Sequence, residues 1–161
     1  MNTLENFRHL FAYNEWANRR IFDAVKARPL SETEKVIRAL AHILIAEKMW
    51  LVRLQTNADT TRFDFWPKLP LDECEMLFEE NRESYASFFD RLTDASLDRM
   101  ATYKNSRGVE YQTSYRDILT HVLLHSSYHR GQAAQAARAA GLAPAYTDYI
   151  AFVRERDAAK E

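Results

Sequence analysis

The sequence predicts an all-α protein: a four-helix bundle with a small β-hairpin before the fourth helix and a short C-terminal helix. Four long segments repeat their apolar residues with the period of an α-helix, whereas the alternation typical of a strand is confined to one short segment. Only 3 glycines and 4 prolines interrupt the 161 residues, which also favours helix. Because this length suits one domain of ordinary size, we expect residues 1–161 to form a single helical-bundle domain.

The first predicted helix runs from about Thr3 to Ala27 and ends before Pro29. Two amides, Asn14 and Asn18, fall on its apolar stripe. Buried amides must be paired. These side chains therefore either hydrogen-bond to another helix or contact a metal-bound water or a substrate.

The second predicted helix runs to about Gln55, and Ser31 with Glu34 forms a candidate capping box at its start. Between Ala39 and Leu54 the helix is apolar on nearly all sides, with His42 among the few polar interruptions. A helix of this kind must be covered on both sides, either by its own bundle or by a second subunit.

A loop, a third helix and a hairpin follow. Residues 56–70 form the loop, which carries Trp66 among several aromatic side chains that we expect to be exposed. Helix three runs from about Asp72 to Leu92, and its inward-facing Cys74 is interpreted as a small core residue. Residues 99–113 have the modest pattern of a β-hairpin.

Two more helices complete the predicted fold. Ser114 and Asp117 cap a fourth long helix that reaches Ala140, where Gly141 is a natural C-terminal stop. A short last helix, from about residue 147 to residue 158, packs on the outside of the bundle.

Charge and cysteine content exclude several classes of protein. The formal net charge is −1 and no block of lysine or arginine occurs, which argues against a nucleic-acid partner or an anionic membrane. No uncharged apolar segment is long enough for a transmembrane helix. The first residues lack the pattern of a secretory signal, and one cysteine cannot form an intramolecular disulfide, so we expect a cytoplasmic protein.

Histidines are concentrated on the predicted inner stripe of helix four, at His121, His125 and His129. Another, His42, lies among apolar residues in the middle of helix two, and Arg130 falls on the predicted outer face of helix four. Histidines four residues apart lie over successive helical turns and can grip one metal ion at about 2.0–2.1 Å. The pattern therefore predicts a metal site.

Spacing alone leaves alternatives open. The same histidines can form a buried hydrogen-bonded network, because each neutral ring brings a donor and an acceptor. These are four histidines, one more than a three-histidine site needs. His121 is therefore a ligand, a partner that orients another ring, or a proton acceptor. Gly131 costs about 1 kcal/mol relative to alanine inside a helix, which predicts close approach of another helix, a partner subunit or a ligand.

Three sequence blocks resemble the DinB/YfiT-like family. They are Tyr13-Asn14-Glu15-Trp16-Ala17-Asn18, His42-Ile43-Leu44-Ile45-Ala46-Glu47 and His121-x3-His125-x3-His129-Arg130-Gly131-Gln132, and the segment Thr147-Asp148-Tyr149-Ile150 is similar to the family's C-terminal end. The resemblance covers essentially the whole chain, with the blocks in the expected order. It implies an up-down-down-up bundle with one long crossover connection, often dimeric.

The resemblance also implies a metal site formed by His42, His125 and His129, with His121 outside the direct ligands. Three neutral imidazoles leave at least one open coordination position, as in catalytic metal sites. They suit one divalent transition metal ion per chain, Zn or Ni in the first place and Fe or Cu as alternatives. Candidates to orient the ligands or line the pocket are His121, Asn14, Asn18 and Tyr128.

The function implied by the resemblance is a metal-dependent enzyme acting on a small molecule, since relatives are regarded as thiol S-transferases or hydrolases. A low-molecular-weight thiol is one candidate substrate. Ser126 follows His125, so no glutamate base accompanies the ligands as in the His-Glu-x-x-His motif, and catalytic residues stay unassigned. The alternative is a non-catalytic metal-binding or stress-response protein. Outward Leu123 and Leu124, together with the apolar second helix, predict a homodimer.

Overall fold

The computed structural model of the protein describes residues 3–56 and 60–159. Its elements in chain order are α1 (Leu4–Val25), α2 (Leu30–Gln55), α3 (Leu71–Asp90), a 3₁₀ helix (Asp94–Asp98), β1 (Met100–Lys104), β2 (Glu110–Ser114), α4 (Tyr115–Ala139) and α5 (Tyr149–Ala158). The two strands pair antiparallel. The predicted helical bundle, the hairpin before its fourth helix and the short C-terminal helix are all confirmed.

Helices α2 and α3 run parallel. The Asn81 side chain donates to the backbone carbonyl of Leu44 (2.8 Å), and one turn later the Tyr85 hydroxyl donates to the backbone carbonyl of Glu47 (2.9 Å). Positions along the two helices therefore increase in the same direction. A parallel pair needs a connection that returns along the bundle, and Thr56 and residues 60–70 are the described parts of the segment that joins α2 to α3.

Helix α4 runs opposite to α2. The Tyr115 hydroxyl at the start of α4 donates to the Leu54 carbonyl near the end of α2 (2.7 Å), whereas His129, later in α4, lies against His42, earlier in α2. This antiparallel pair brings the middle of α2 beside the histidine-bearing part of α4.

The apolar core consists of two clusters, one toward each end of the bundle. One cluster joins the start of α1 to the end of α2, and the other joins the end of α1 to the start of α2. Helix α1 therefore runs opposite to α2, which completes the up-down-down-up order. Cys74 is buried in the second cluster, and burial raises the pKa of its thiol to about 11, so it is a core residue and not a nucleophile.

Of two predicted helix ends, the start of α2 differs from the prediction and the end of α4 agrees with it. Helix α2 begins at Leu30, with Pro29 at the capping position and no capping hydrogen bond from a side chain. The predicted capping box at Ser31 is therefore wrong, because the helix starts earlier and this serine lies inside its first turn. At the end of α4, Gly141 has φ of 76°, the left-handed conformation that glycine adopts without strain, and the predicted stop is confirmed.

Gly131 lies on an open surface of α4. A Cβ atom built there meets no atom of the described residues within 4 Å. The prediction that another helix of the same chain approaches this glycine closely is therefore wrong. None of the described helices is both long enough and apolar enough to cross a membrane.

Candidate metal centre

Three histidines from two antiparallel helices meet beside the core. His42 comes from the middle of α2, and His125 and His129 lie one turn apart on α4. One nitrogen from each ring lies within 4.8 Å of the others. Ring centroids are 4.2 Å apart for His42 and His129, 4.3 Å for His125 and His129, and 5.0 Å for His42 and His125. His125 is partly exposed while the other two are buried, so the cluster is reachable from one side.

The loop between α2 and α3 holds His42 in one orientation. Its Nδ1 hydrogen-bonds the backbone carbonyl of Phe65, and the indole of Trp66 stacks on the imidazole with centroids 3.8 Å apart and planes within 3° of parallel. A carbonyl only accepts, so Nδ1 carries the proton and Nε2 presents a lone pair. Burial lowers the pKa of His42, which keeps this ring neutral at pH 7.

Gln132 orients His129 in the same way. The Nδ1 of His129 donates to the side-chain oxygen of Gln132 (2.8 Å), so in the neutral ring Nε2 presents the lone pair, and this atom lies 3.1 Å from the Nε2 of His42. Two lone pairs facing each other repel unless a proton or a cation lies between them. Nitrogen ligands of a tetrahedral zinc ion at about 2.0–2.1 Å are themselves about 3.3 Å apart, close to the observed separation.

His125 is the ligand candidate whose protonation is most strongly opposed. Burial, and then the neighbouring rings of His129, His42 and His121, lower its pKa to about 3. A proton on this ring would lose solvation and be repelled by three other rings that can carry charge. The nitrogen lone pair is therefore available at neutral pH, as metal binding requires.

His121 and Tyr128 flank the cluster on the exposed side of α4. The His121 ring is 5.6 Å from that of His125 and 4.9 Å from that of Trp50, and the Tyr128 ring is 5.0 Å from that of His129. Both residues are exposed, Tyr128 by 66%. The prediction that His121 points into the bundle is wrong, but its ring does lie next to a proposed ligand.

The buried stripe of α4 is rotated from the predicted one. Its members are Tyr115, Ile118, Leu119, Val122, Ser126, His129, Arg130, Ala133 and Ala137. His121 and His125 therefore lie at the edge of the stripe. Arg130, which was predicted to lie on the outer face, is buried, and its guanidinium group donates to Asn14 and Asn18.

Asn14 and Asn18 connect this buried arginine to Glu47. Both Nδ2 groups donate to Glu47 Oε1 (2.7 and 3.1 Å), and both Oδ1 atoms accept from Arg130 Nη1 (2.6 and 3.2 Å). The Ser126 hydroxyl donates to the same carboxylate oxygen (3.1 Å). The two asparagines therefore bridge helices through a polar layer between the two apolar clusters.

Glu47 is a buried carboxylate in the middle of this layer. Burial raises its pKa, and the three hydrogen bonds and the charge of Arg130 act in the opposite direction. The Nη2 of Arg130 is the only buried side-chain polar atom in the described ranges without a hydrogen-bond partner. The layer thus contains one carboxylate and one guanidinium that interact mainly through the two asparagines.

The residues that orient the histidines were not predicted from the sequence. Trp66 is 42% exposed, as expected, but nothing periodic in its loop predicts that it also stacks on His42 or that the Phe65 carbonyl accepts from the same ring. Gln132 was detectable, because it lies three residues after His129 and side chains at this spacing are neighbours on a helix.

Comparisons with known proteins agree with this architecture. The model of the family described as DinB family matches residues 1–159. The protein DinB of Bacillus subtilis (strain 168) is 27% identical over 155 residues, covering 87% of this chain and 89% of that protein. The crystal structure of a DinB-like protein from Bacillus cereus ATCC 10987 aligns with a TM-score of 0.65 at 18% identity, covering 89% of this chain and 97% of that chain.

Proposed function

The chain belongs to the DinB family, and we propose that it is a metal-dependent enzyme acting on a small molecule. In this proposal His42, His125 and His129 hold one divalent transition metal ion per chain. The observation that carries it is the 3.1 Å distance between the Nε2 atoms of His42 and His129. A cation between them would accept both lone pairs, whereas two neutral rings without one would repel each other.

The donor set supports a site with open coordination positions. Three neutral imidazoles supply three ligands, which is the number typical of catalytic rather than structural zinc sites. The Phe65 carbonyl and the Gln132 side chain take up the Nδ1 protons, as the partners of metal-binding histidines do in proteins. All-nitrogen ligation favours Zn or Ni, with Fe or Cu as alternatives.

Thiol S-transfer is the reaction class that we favour, ahead of hydrolysis. A divalent cation in this site supplies Lewis acidity, which lowers the pKa of a coordinated water and deprotonates a coordinated thiol. Within the described ranges, the metal-binding group contains no carboxylate that would serve as a separate base. A thiol whose pKa is lowered by coordination can release its proton to water at neutral pH, so this step does not depend on such a base. Tyr128 and His121, on the exposed side, are placed to position the small molecule.

The absence of a carboxylate from the metal-binding group, within the described residues, also fits a second candidate, a non-catalytic protein that stores or senses a metal ion. Both candidates require a metal ion bound by the three histidines, and elemental analysis tests this requirement. Protein purified without a histidine tag is expected to contain close to one transition metal ion per chain, and His125→Ala is expected to lose most of it. Metal well below stoichiometry and unchanged in His125→Ala would exclude both candidates.

Absorption spectroscopy separates the two candidates. With cobalt or nickel in the site, addition of a low-molecular-weight thiol is expected to produce a charge-transfer band if the thiol reaches the metal. A spectrum unchanged by every thiol tested would contradict the transferase proposal and favour metal storage or sensing. His121→Ala serves as a variant that keeps the three ligands but alters the approach to them.

We also propose that two copies of the chain associate through the outward face of α4. Leu124 and Tyr128, one turn apart, are exposed by 67% and 66% on this face. The prediction that Leu123 also points outward is wrong, because this side chain is half-buried against the core. Large apolar side chains exposed side by side are typical of interaction surfaces. The lone buried thiol of Cys74 fits a reducing compartment, so the cytoplasm remains the proposed location.

A further inference from the structure

A groove between α1 and α3 lies away from the histidine cluster. Its cavity has a volume of about 190 Å³, and its apolar wall is formed by the rings of Phe11, Phe78, Tyr85 and Phe89. Phe11 packs against Tyr85 and Phe89 at centroid distances of 4.7 and 5.0 Å, so this wall is part of the packed core. Pockets that bind drug-sized ligands have volumes of roughly 300–1,000 Å³. The groove therefore suits a smaller molecule.

The inner end of the groove presents a carboxylate oxygen with little hydrogen bonding. Glu47 is only 5% exposed and lines the cavity together with Asn81. All three short hydrogen bonds to Glu47 reach Oε1, whereas Oε2 accepts only from the Asn81 side chain, at 3.5 Å. A buried carboxylate oxygen calls for a better donor than this long contact provides.

The outer end of the groove adds a second carboxylate without a close partner. Within the described ranges Glu15 forms no hydrogen bond or ion pair, and Arg82 and Arg19 act on it only through their more distant charges. The cations that line the groove are engaged elsewhere: Arg8 pairs with Asp90 (3.0 Å), and Arg82 bonds a different glutamate of α3 (2.7 Å). Among the charged groups of the lining, Glu47 Oε2 and the Glu15 carboxylate are therefore the ones with the least hydrogen bonding.

We propose that this groove binds a small amine as its ammonium ion, with the ammonium group donating to Glu47 Oε2 and the apolar part lying against the aromatic wall. Glu15 at the outer end adds attraction for the same charge. Aromatic faces attract cations as well as apolar groups, so the wall suits both parts of such a ligand. An anion would be repelled at Glu47 Oε2, the position proposed for the ammonium group.

The groove and the histidine cluster belong to different faces of the bundle. Helices α1 and α3 supply the groove, with Glu47 reaching it from α2, whereas the histidines come from α2 and α4. None of the three histidines lines the cavity. Amine binding should therefore be unaffected by His125→Ala, which removes a proposed metal ligand.

Titration of the full-length protein with benzylammonium, benzyl alcohol and benzoate tests the proposal, since these probes share a ring and differ in charge. Side-chain amide resonances of Asn18 and Asn81 report occupancy by NMR. Benzylammonium is expected to saturate these shifts with an affinity at least about tenfold above that of benzyl alcohol, a difference of about 1.4 kcal/mol. Benzoate is expected to produce no saturable change.

Variants locate the site. Glu47→Gln keeps a side chain of the same shape and is expected to remove the preference for the ammonium probe, and Glu15→Gln is expected to weaken it. Ala86→Trp, at an exposed position that lines the groove, is expected to block all binding. Glu80→Gln, on α3 but paired with Lys48 outside the groove, serves as the matched control and should leave affinity unchanged.

Three results would overturn the proposal. They are equal affinity for benzylammonium and benzyl alcohol, full amine affinity in both Glu15→Gln and Ala86→Trp, and loss of amine binding in His125→Ala. The first result is measured on the unmodified protein and the second on surface variants. Both therefore test amine binding even if Glu47→Gln does not fold. The third would assign the amine to the metal centre.

Discussion

The Nε2 atoms of His42 and His129 face each other at 3.1 Å, and each ring is fixed in that orientation by a hydrogen bond from its other nitrogen. The fixed orientation has an energetic role, because a ring that needs no reorientation loses less entropy when it binds a metal ion.

Gln132 is therefore predicted to contribute to metal affinity without touching the metal. Replacing it with leucine removes the acceptor of the His129 Nδ1 proton, and loss of such a partner typically weakens metal binding about 10–100-fold. Competition with a chromophoric chelator measures the change. Gln135→Leu, one turn away on the exposed face of α4, is the control and should bind as the unmodified protein does. Equal affinity in the two variants would contradict the role given to Gln132.

Trp66 is predicted to report metal binding by fluorescence. Its indole stacks on His42, so Cu²⁺ or Ni²⁺ held by the histidines should quench it strongly. Trp66→Phe is expected to lose most of the metal-dependent quenching. Trp16→Phe, which removes an indole that instead bonds Glu155 (2.9 Å), should retain it. If Trp16→Phe lost the metal-dependent quenching and Trp66→Phe kept it, the ion would bind away from the three histidines.

The metal-free protein is predicted to lose stability on acidification below about pH 6.5, the ordinary pKa of histidine. Burial lowers the pKa of His125 to about 3, so between these values the unfolded chain binds a proton that the folded chain does not. The free energy of unfolding should therefore rise with pH across this window and level off above it. Urea unfolding of the protein and of His125→Gln measures the slope, which should be shallower in the variant. Identical slopes would mean that His125 is not held neutral.

Glu47 is predicted to be necessary for the central polar layer. Glu47→Ala leaves Asn14, Asn18 and Ser126 without their acceptor and Arg130 without a counter-charge, and breaking a buried charged pair in this way costs about 3–5 kcal/mol. Urea unfolding measures the loss. Glu80→Ala removes only an exposed ion pair and should cost at most about 1 kcal/mol. Similar losses in the two variants would show that the layer adds little stability.

The proposed homodimer is predicted to depend on the outward face of α4. Leu124→Glu places a charge where apolar contact is expected and should shift the protein to a monomer in light scattering at micromolar concentration. Met76→Glu changes a side chain exposed by 73% on α3 and should leave the dimer intact. A monomeric mass for the unmodified protein would refute the dimer.

Much of the fold was predictable because its helices have clear apolar periods and few interruptions. The spacing of His125 and His129 likewise follows from helical geometry, and the structure brings both to His42. Arg130 was misplaced because a stripe judged from the histidines is rotated relative to the true one, which is centred on Ser126 and small alanines.

The loop contacts were not predictable for a different reason. Trp66 and Phe65 lie in a segment without helical or strand period, so only its three-dimensional path brings them to His42. Glu47 was visible in the sequence only as a polar interruption of an apolar helix. Its role depends on side chains from two other helices that no local pattern connects to it.

The separation of the histidines along the chain has a consequence for folding. His42 and His129 are 87 positions apart, so a metal ion held by both closes a loop of more than half the chain. A cross-link of this length restricts the unfolded ensemble by an amount on the order of 4–5 kcal/mol in a chain-entropy model. Loss of the metal ion would then lower the free energy of unfolding as well as remove the reactive centre. The ion would therefore have a structural role, because it joins two distant parts of the polypeptide.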